Sequence, residues 1–169
     1  MRKWLMAADL TSLLRETINR ELPHLLALTD EAASQNDGRP GSWTRKQELG
    51  HLIDSAAHNH MRFVLASIDG EFRGMGYAQD KWVAAHGYGD LEWRFLVDLW
   101  YRFNTLLVHL VKRIPENEMG NRCVIGWGVV TLGYVIEDYI LHMRHHLDHV
   151  LGRETAGRYP TPQKRVGTG

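Results

Sequence analysis

The chain has few of the features that mark secreted, membrane-bound or nucleic-acid-binding proteins. It has a single cysteine, Cys123, so no disulfide can form within the chain, and a reducing compartment is expected. Its 20 basic and 20 acidic residues cancel, and it has no Lys/Arg-rich run. The first residues lack the apolar stretch of a signal peptide, and no run approaches the roughly 20 apolar residues of a membrane span. We therefore expect a cytoplasmic protein with neither nucleic acid nor a membrane as a partner.

The composition is that of one folded domain. The chain has 169 residues, of which 44% are hydrophobic and 24% are charged, enough to bury a sizeable core. Apolar residues recur at steps of three and four along most of it, and turn-forming residues separate the periodic segments. We predict one helical-bundle domain over residues 1–154 and a flexible C-terminal tail over residues 155–169.

Four long helices are predicted from this spacing, with a short helical turn around Gln79–Ala85. The first long helix spans residues 9–34, and Pro23 should kink or divide it. The other three begin at residues that favour N-caps, namely Thr44, Asp90 and Thr131. Because each helix has one apolar face and no segment alternates like a strand, the sequence predicts an all-α four-helix bundle. These patterns do not determine the order of the helices around the bundle.

Histidine is in excess, with ten in the chain. On the predicted fourth helix, His142 pairs with His146 and His145 with His149 at i, i+4 spacing, which places both imidazoles of a pair close enough to bind one metal ion. At about 100° of rotation per residue, His142 and His146 flank the apolar stripe, whereas the other pair lies close to the solvent side. A metal site inside the bundle should therefore use His142 and His146. A pair without a third ligand is weak evidence for a metal.

A third ligand could come from the predicted second helix, which carries His51, His58 and His60. His60 lies near the centre of the apolar stripe of that helix. A separate polar strip is formed by His51, Asp54, Ser55, His58 and Arg62. Amphipathicity alone places His51 at the surface, and His51 points inward only if the helix is buried on two sides. The residue pattern leaves both arrangements open.

Two segments on the predicted second and fourth helices form a familiar combination. From Trp43 the chain reads WTRKQELGHLIDSAAHNHMRFV, and about ninety residues later it reads IEDYILHMRHHLDHV. Together they resemble the DinB/YfiT-like family of metalloenzymes, four-helix bundles that hold a metal with one histidine early in helix two and an HxxxH pair on the last helix. The resemblance implies His51, His142 and His146 as ligands. At position 149 this chain has His where many relatives carry Gln, which leaves His145 with His149 as a rival pair.

The resemblance also implies a divalent-metal-dependent enzyme with a small-molecule substrate. Characterised relatives include thiol-dependent S-transferases and an isomerase that uses a low-molecular-weight thiol. We therefore expect an S-transferase that uses such a thiol as cosubstrate against an electrophile. Three imidazoles leave coordination positions open, as in catalytic zinc sites, and they also accept nickel or iron. Relatives often pair, which implies a homodimer.

Two carboxylates lie one turn from a proposed ligand: Asp54 follows His51, and Asp138 precedes His142. Either could orient an imidazole by accepting its second N–H. The sequence shows no nucleophile or general base beside the site, so the catalytic residues are unknown. Two other functions therefore stay open, a non-catalytic metal-binding stress-response bundle and a plain interaction bundle whose histidines face water.

Overall fold

A computed structural model describes residues 5–36, 38, 41–126 and 128–154 of the chain. The predicted C-terminal tail, residues 155–169, lies outside the described residues, and its flexibility stays a prediction.

Four long helices form the body of the described chain and confirm the predicted four-helix bundle. The helices are α1 Ala7–Ala27, α2 Asp30–Ala33, α3 Arg45–Asp69, α4 Gln79–His86, α5 Trp93–Arg113 and α6 Leu132–Val150. The apolar faces of the long helices meet in one core whose largest fully buried side chains include Phe63, Trp93 and Trp100. None of the described helices is both long and apolar enough to cross a membrane.

The structure also gives the order of the helices, which the sequence patterns left open. α1 and α3 each pack against both α5 and α6, so the order around the bundle is α1, α5, α3, α6. Arg45, at the start of α3, donates a hydrogen bond to the carbonyl of Val150 at the end of α6, at 2.9 Å. α3 and α6 are therefore antiparallel. This arrangement places the N-terminal half of α3 beside the C-terminal half of α6, the two segments that carry the candidate ligands.

The predicted first helix, residues 9–34, is two helices in the structure. α1 continues through Pro23 and ends at Ala27. Thr29 then accepts a hydrogen bond from the backbone N–H of Ala32 at 3.2 Å and caps α2. The division therefore comes from an N-cap at Thr29. Pro23 does not divide α1, although it removes one backbone N–H donor from the helix.

Two of the three predicted N-caps are confirmed, and one is wrong. Thr44 and Thr131 each accept a backbone hydrogen bond at the start of α3 and α6. Asp90 instead ends a short 3₁₀ turn, and α5 begins at Trp93. The backbone N–H of Trp93 donates to the side chain of Asp30, at 2.7 Å, so a carboxylate from α2 occupies the position expected for a local cap.

The all-α prediction missed a small three-stranded sheet. Its strands are β1 Glu71–Arg73, β2 Arg122–Ile125 and β3 Gly128–Thr131. β2 pairs with β1 in parallel and with β3 in antiparallel orientation. Strands of three or four residues are too short to show a period of two in the sequence. The sheet lies where α3 ends and α6 begins, away from the candidate ligands.

Candidate metal centre

α3 is buried on two sides, so His51 points inward. Its apolar side packs against α5, while α6 and the chain that follows β1 contact its other side. In that second contact, Tyr88 donates its hydroxyl to Oδ1 of Asp54 at 2.7 Å. His51 is fully buried, and Asp54 is 2% exposed. The surface position suggested by amphipathicity alone is therefore wrong, because a local pattern does not show which elements cover a polar strip.

Three imidazoles from two helices converge at this place. His51 comes from α3, and His142 and His146 come from α6. One ring nitrogen from each lies within 4.8 Å of the other two, and the Nε2 atoms of His51 and His142 are 3.2 Å apart. Nitrogen atoms that bind one tetrahedral ion at roughly 2.0–2.1 Å lie about 3.3 Å from each other. The spacing is therefore that of ligands able to share one ion.

Burial keeps these three imidazoles neutral at physiological pH. Desolvation, with a smaller contribution from the neighbouring His146, lowers the pKa of His51 to about 3. Desolvation also lowers the pKa of His146 to about 4, with a contribution from His149. The pKa of His142 lies well below its usual range, again chiefly through burial. Neutral imidazoles offer lone pairs to a cation, so the donor set fits a divalent ion such as zinc, nickel or iron.

Glu48 orients one of these imidazoles, although it was not among the predicted site residues. Its carboxylate accepts a hydrogen bond from Nδ1 of His146 at 2.7 Å. With the proton on Nδ1, the Nε2 atom of His146 keeps its lone pair for the triad. A sequence signal was present, because Glu48 precedes His51 by one helical turn just as Asp54 follows it by one turn.

Asp54 has partners other than the imidazole that it was predicted to orient. Its Oδ1 atom accepts the hydroxyl of Tyr88 and lies 3.3 Å from Nδ1 of His86. Nδ1 of His51 instead faces the hydroxyl of Tyr77 at 3.5 Å. The predicted role of Asp54 toward His51 is therefore corrected. Tyr77 carried no signal, because it lies in a stretch without periodicity that is positioned only by tertiary packing.

Asp138, the other predicted carboxylate, lies on α6 one turn before His142. Its negative charge raises the pKa of Arg62, although burial lowers that pKa overall. Its role toward His142 stays a prediction.

The other histidines on α3 take separate positions. The ring of His58 stacks on Tyr77, with centroids 3.9 Å apart and an interplanar angle of 10°. His60 packs against Phe103 at a centroid distance of 5.9 Å. Neither belongs to the group of convergent nitrogen atoms around His51.

The structure brings His142 and His146, rather than the rival pair, to His51. His145 and His149 contact each other edge to face, with ring centroids 4.5 Å apart. His149 also forms a second group of ligand-capable atoms with Glu48 and His146. In that second group, Nδ1 of His146 and Oε2 of Glu48 lie close together because they share a hydrogen bond.

A cavity of about 440 Å³ lies beside the triad. It is lined by Gly41, Ser42, Trp43, Glu48, Asp80, His146 and His149. The Trp43 ring also lies 5.1 Å from the ring of His51. Cavities of a few hundred Å³ hold small organic molecules, so a ligand of that size has space next to the three imidazoles.

Comparison with solved structures identifies the fold. The chain superposes on YfiT from Bacillus subtilis, provisionally described as a metal-dependent hydrolase with an unusual four-helix-bundle topology. The TM-score is 0.77 at 18% identity, over 86% of this chain and 84% of YfiT. The chain has the DinB/YfiT-like fold. A mycothiol-dependent maleylpyruvate isomerase matches this chain with a TM-score of 0.71 at 14% identity, over 86% of the chain and 61% of the isomerase.

Curated relatives agree with the DinB/YfiT-like resemblance, which is confirmed. A provisionally named metal-dependent hydrolase of Oceanobacillus iheyensis is 26% identical over 152 residues, or 89% of this chain and 83% of the relative. A protein of the same provisional name from Bacillus cereus is 29% identical over 137 residues, or 77% of this chain and 78% of the relative. No family model matches the chain.

Proposed function

We propose that this chain is a divalent-metal-dependent enzyme that joins a low-molecular-weight thiol to an electrophilic small molecule. The observation that carries the proposal is the group of three neutral imidazoles, one buried and two partly buried, beside a cavity of about 440 Å³. Catalytic zinc sites have three protein ligands and an open position, whereas structural sites are closed by four. Within the described residues the imidazole group has three members, which favours the enzyme over the non-catalytic stress-response bundle.

Each residue of the site has a part in this proposal. A divalent ion, when bound, lowers the pKa of a water or thiol at its open positions and polarises a carbonyl group. His51, His142 and His146 would hold that ion. Glu48 keeps the proton of His146 on Nδ1 and so directs Nε2 into the site. The Tyr77 hydroxyl faces Nδ1 of His51 and can restrain that ring in the same way.

Two considerations favour a thiol as the nucleophile. A solved structure with the same fold is a mycothiol-dependent isomerase. A thiolate is also a soft ligand that suits zinc, which makes zinc the preferred metal, with nickel and iron compatible with the same imidazoles. The curated relatives carry the name of hydrolases, so hydrolysis, with water in place of the thiol, is the second candidate.

One assay separates the two candidates. p-Nitrophenyl acetate is added to zinc-loaded, untagged protein with and without N-acetylcysteamine, and release of p-nitrophenolate is followed. The proposal predicts acceleration that needs both protein and thiol, with the S-acetyl thioester as product. The His142→Ala variant should lose this thiol-dependent acceleration, and the His145→Ala variant should keep it. Acceleration without thiol, yielding acetate, would support the hydrolase, and no acceleration in either arm would contradict both candidates.

A further inference from the structure

Arg62 is a partly buried cation whose hydrogen-bonding capacity is little used. It lies on the inward polar strip of α3, three turns beyond His51. Within the described residues its guanidinium makes one hydrogen bond, to Oδ1 of Asn59 at 3.3 Å, and no ion pair within 4.0 Å. A guanidinium has five N–H donors, and partial removal of such a cation from water is costly unless acceptors meet them. The unused donors point to an anionic ligand.

His58, one turn earlier on the same helix, has a ring nitrogen without a hydrogen-bond partner among the described residues. This nitrogen, Nε2, is buried. Burial lowers the pKa of His58, and the charge of Arg62 adds to this effect. Residues four apart on a helix lie on one face, so both side chains can meet the same ligand.

His58 lies close to the three imidazoles. The Tyr77 ring stacks on His58, and its hydroxyl reaches Nδ1 of His51. Residues 51 and 62 are about 16 Å apart along the helix axis, and helical side chains lean toward the N-terminus, so Arg62 extends back toward the triad. Its charge contributes to the lowered pKa of His142. A small molecule that reacts at the triad could therefore place a second group against Arg62.

The groups that face Arg62 leave room for a further negative charge. Burial raises the pKa of the Tyr77 hydroxyl and of the Cys123 thiol, so both are neutral at physiological pH. The charge of Asp138 raises the pKa of Arg62, although burial lowers that pKa overall.

We propose that Arg62 and His58 form a carboxylate-binding subsite for the small molecule on which the triad acts. A planar carboxylate matches the paired N–H groups of a guanidinium and can accept the imidazole N–H at its edge. The role of this ligand as a substrate rests on the proposed function, whereas its binding to Arg62 does not. The substrate class is thus narrowed to small electrophiles or thiols that carry a carboxylate.

The test compares 4,4,4-trifluorobutyrate with its uncharged amide by 19F NMR titration of protein freed of metal by a chelator. Metal removal prevents the acid from ligating an ion, so any preference for the acid reports the protein itself. We expect the acid to bind roughly ten-fold more tightly than the amide. Arg62→Met should abolish this preference, and Arg62→Lys should keep part of it. Arg102→Met, which removes an exposed guanidinium paired with Asp98, should leave the preference unchanged.

Two results would overturn the subsite. One is equal binding of the acid and the amide by the unsubstituted protein. The other is a preference for the acid that persists undiminished in Arg62→Met, because the carboxylate would then bind elsewhere on the protein. Circular dichroism establishes that the variants fold, and Arg62→Lys repeats the comparison with a side chain of similar length. Since the affinities are measured without metal, the subsite and zinc binding can fail independently.

A last arm assigns the carboxylate to one of the two reactants. N-Acetylcysteamine, a thiol without a carboxylate, is added to the zinc-loaded protein with the fluorinated acid bound. Simultaneous binding of both supports a subsite for the electrophile. Displacement of the acid by the thiol supports a subsite within the region that the thiol cosubstrate occupies.

Discussion

Glu48 holds one imidazole of the triad in a single orientation. Its carboxylate accepts the Nδ1 proton of His146 at 2.7 Å, in a largely buried pair whose side chains are 12% and 15% exposed. An acceptor at this position fixes the tautomer and makes Nε2 a better electron donor. The carboxylate should therefore contribute to metal affinity without touching the ion.

Glu48→Gln is expected to weaken zinc binding about 10- to 100-fold, because a neutral amide accepts the Nδ1 proton less strongly. Competition against a fluorescent chelator measures the affinity. Glu16→Gln, which makes the same change on an exposed side chain of α1, is the matched control and should bind zinc as the unsubstituted protein does. Equal affinities for the two variants would remove Glu48 from the metal centre.

Individual residues of the site differed in how far the sequence could predict them. The i, i+4 spacing and helical phase of His142 and His146 were sufficient to select that pair over His145 and His149. His51 needed the family resemblance, because the elements that cover α3 come from residues far along the chain. Glu48 could have been found by its spacing from His51, whereas Tyr77 could not, since no local pattern positions it.

At the scale of elements, the contact between α3 and Tyr88 determines how the polar strip is covered. Gly50 lies inside α3, and a Cβ atom there would come within 2.1 Å of the Tyr88 ring, which is 4% exposed. The absence of a side chain at Gly50 lets Tyr88 approach the helix and donate to Asp54. Glycine is normally unfavourable in a helix interior, but at position 50 the packing of Tyr88 requires it.

Gly50→Ala should destabilise the protein by about 1–3 kcal/mol, since the overpacking outweighs the helix preference of alanine. Chemical denaturation followed by circular dichroism gives the free energy of unfolding. Gly120→Ala, where no heavy atom lies within 4 Å of the added Cβ, controls for the substitution itself. A stabilised Gly50→Ala variant would show that Tyr88 does not pack on α3 as described.

The elements themselves were predictable to the extent that their determinants are local. The capping residues Thr44 and Thr131 lie beside the helices that they start, and both predictions are confirmed. The start of α5 depends on Asp30, more than sixty residues earlier, so Asp90 was a reasonable but wrong cap. The strands of the small sheet are defined by pairing across the chain, which the residue pattern of so short a segment does not show.

At the scale of the whole molecule, the buried imidazoles couple folding to pH. The pKa of His51 is about 3 in the folded chain and about 6.5 when unfolded, so below pH 6.5 the unfolded state binds more protons. For metal-free protein, the free energy of unfolding should therefore fall as pH is lowered from about 6.5 to about 4. His51 alone contributes up to about 1.4 kcal/mol per pH unit.

Denaturation of metal-free protein at several pH values measures this slope. His51→Gln should reduce the pH dependence of the free energy of unfolding by the contribution of one imidazole, because glutamine does not titrate. His24→Gln, on the exposed side of α1, should leave it nearly unchanged. Equal reductions in both variants would mean that His51 is not buried and neutral.

The metal content of untagged protein, determined by elemental mass spectrometry, shows whether the three imidazoles bind an ion. We expect one divalent ion per chain after equilibration with zinc, its loss in His51→Ala, His142→Ala and His146→Ala, and its retention in His145→Ala. An unsubstituted chain that binds no ion, or an ion that persists in His142→Ala but is lost in His145→Ala, would contradict it.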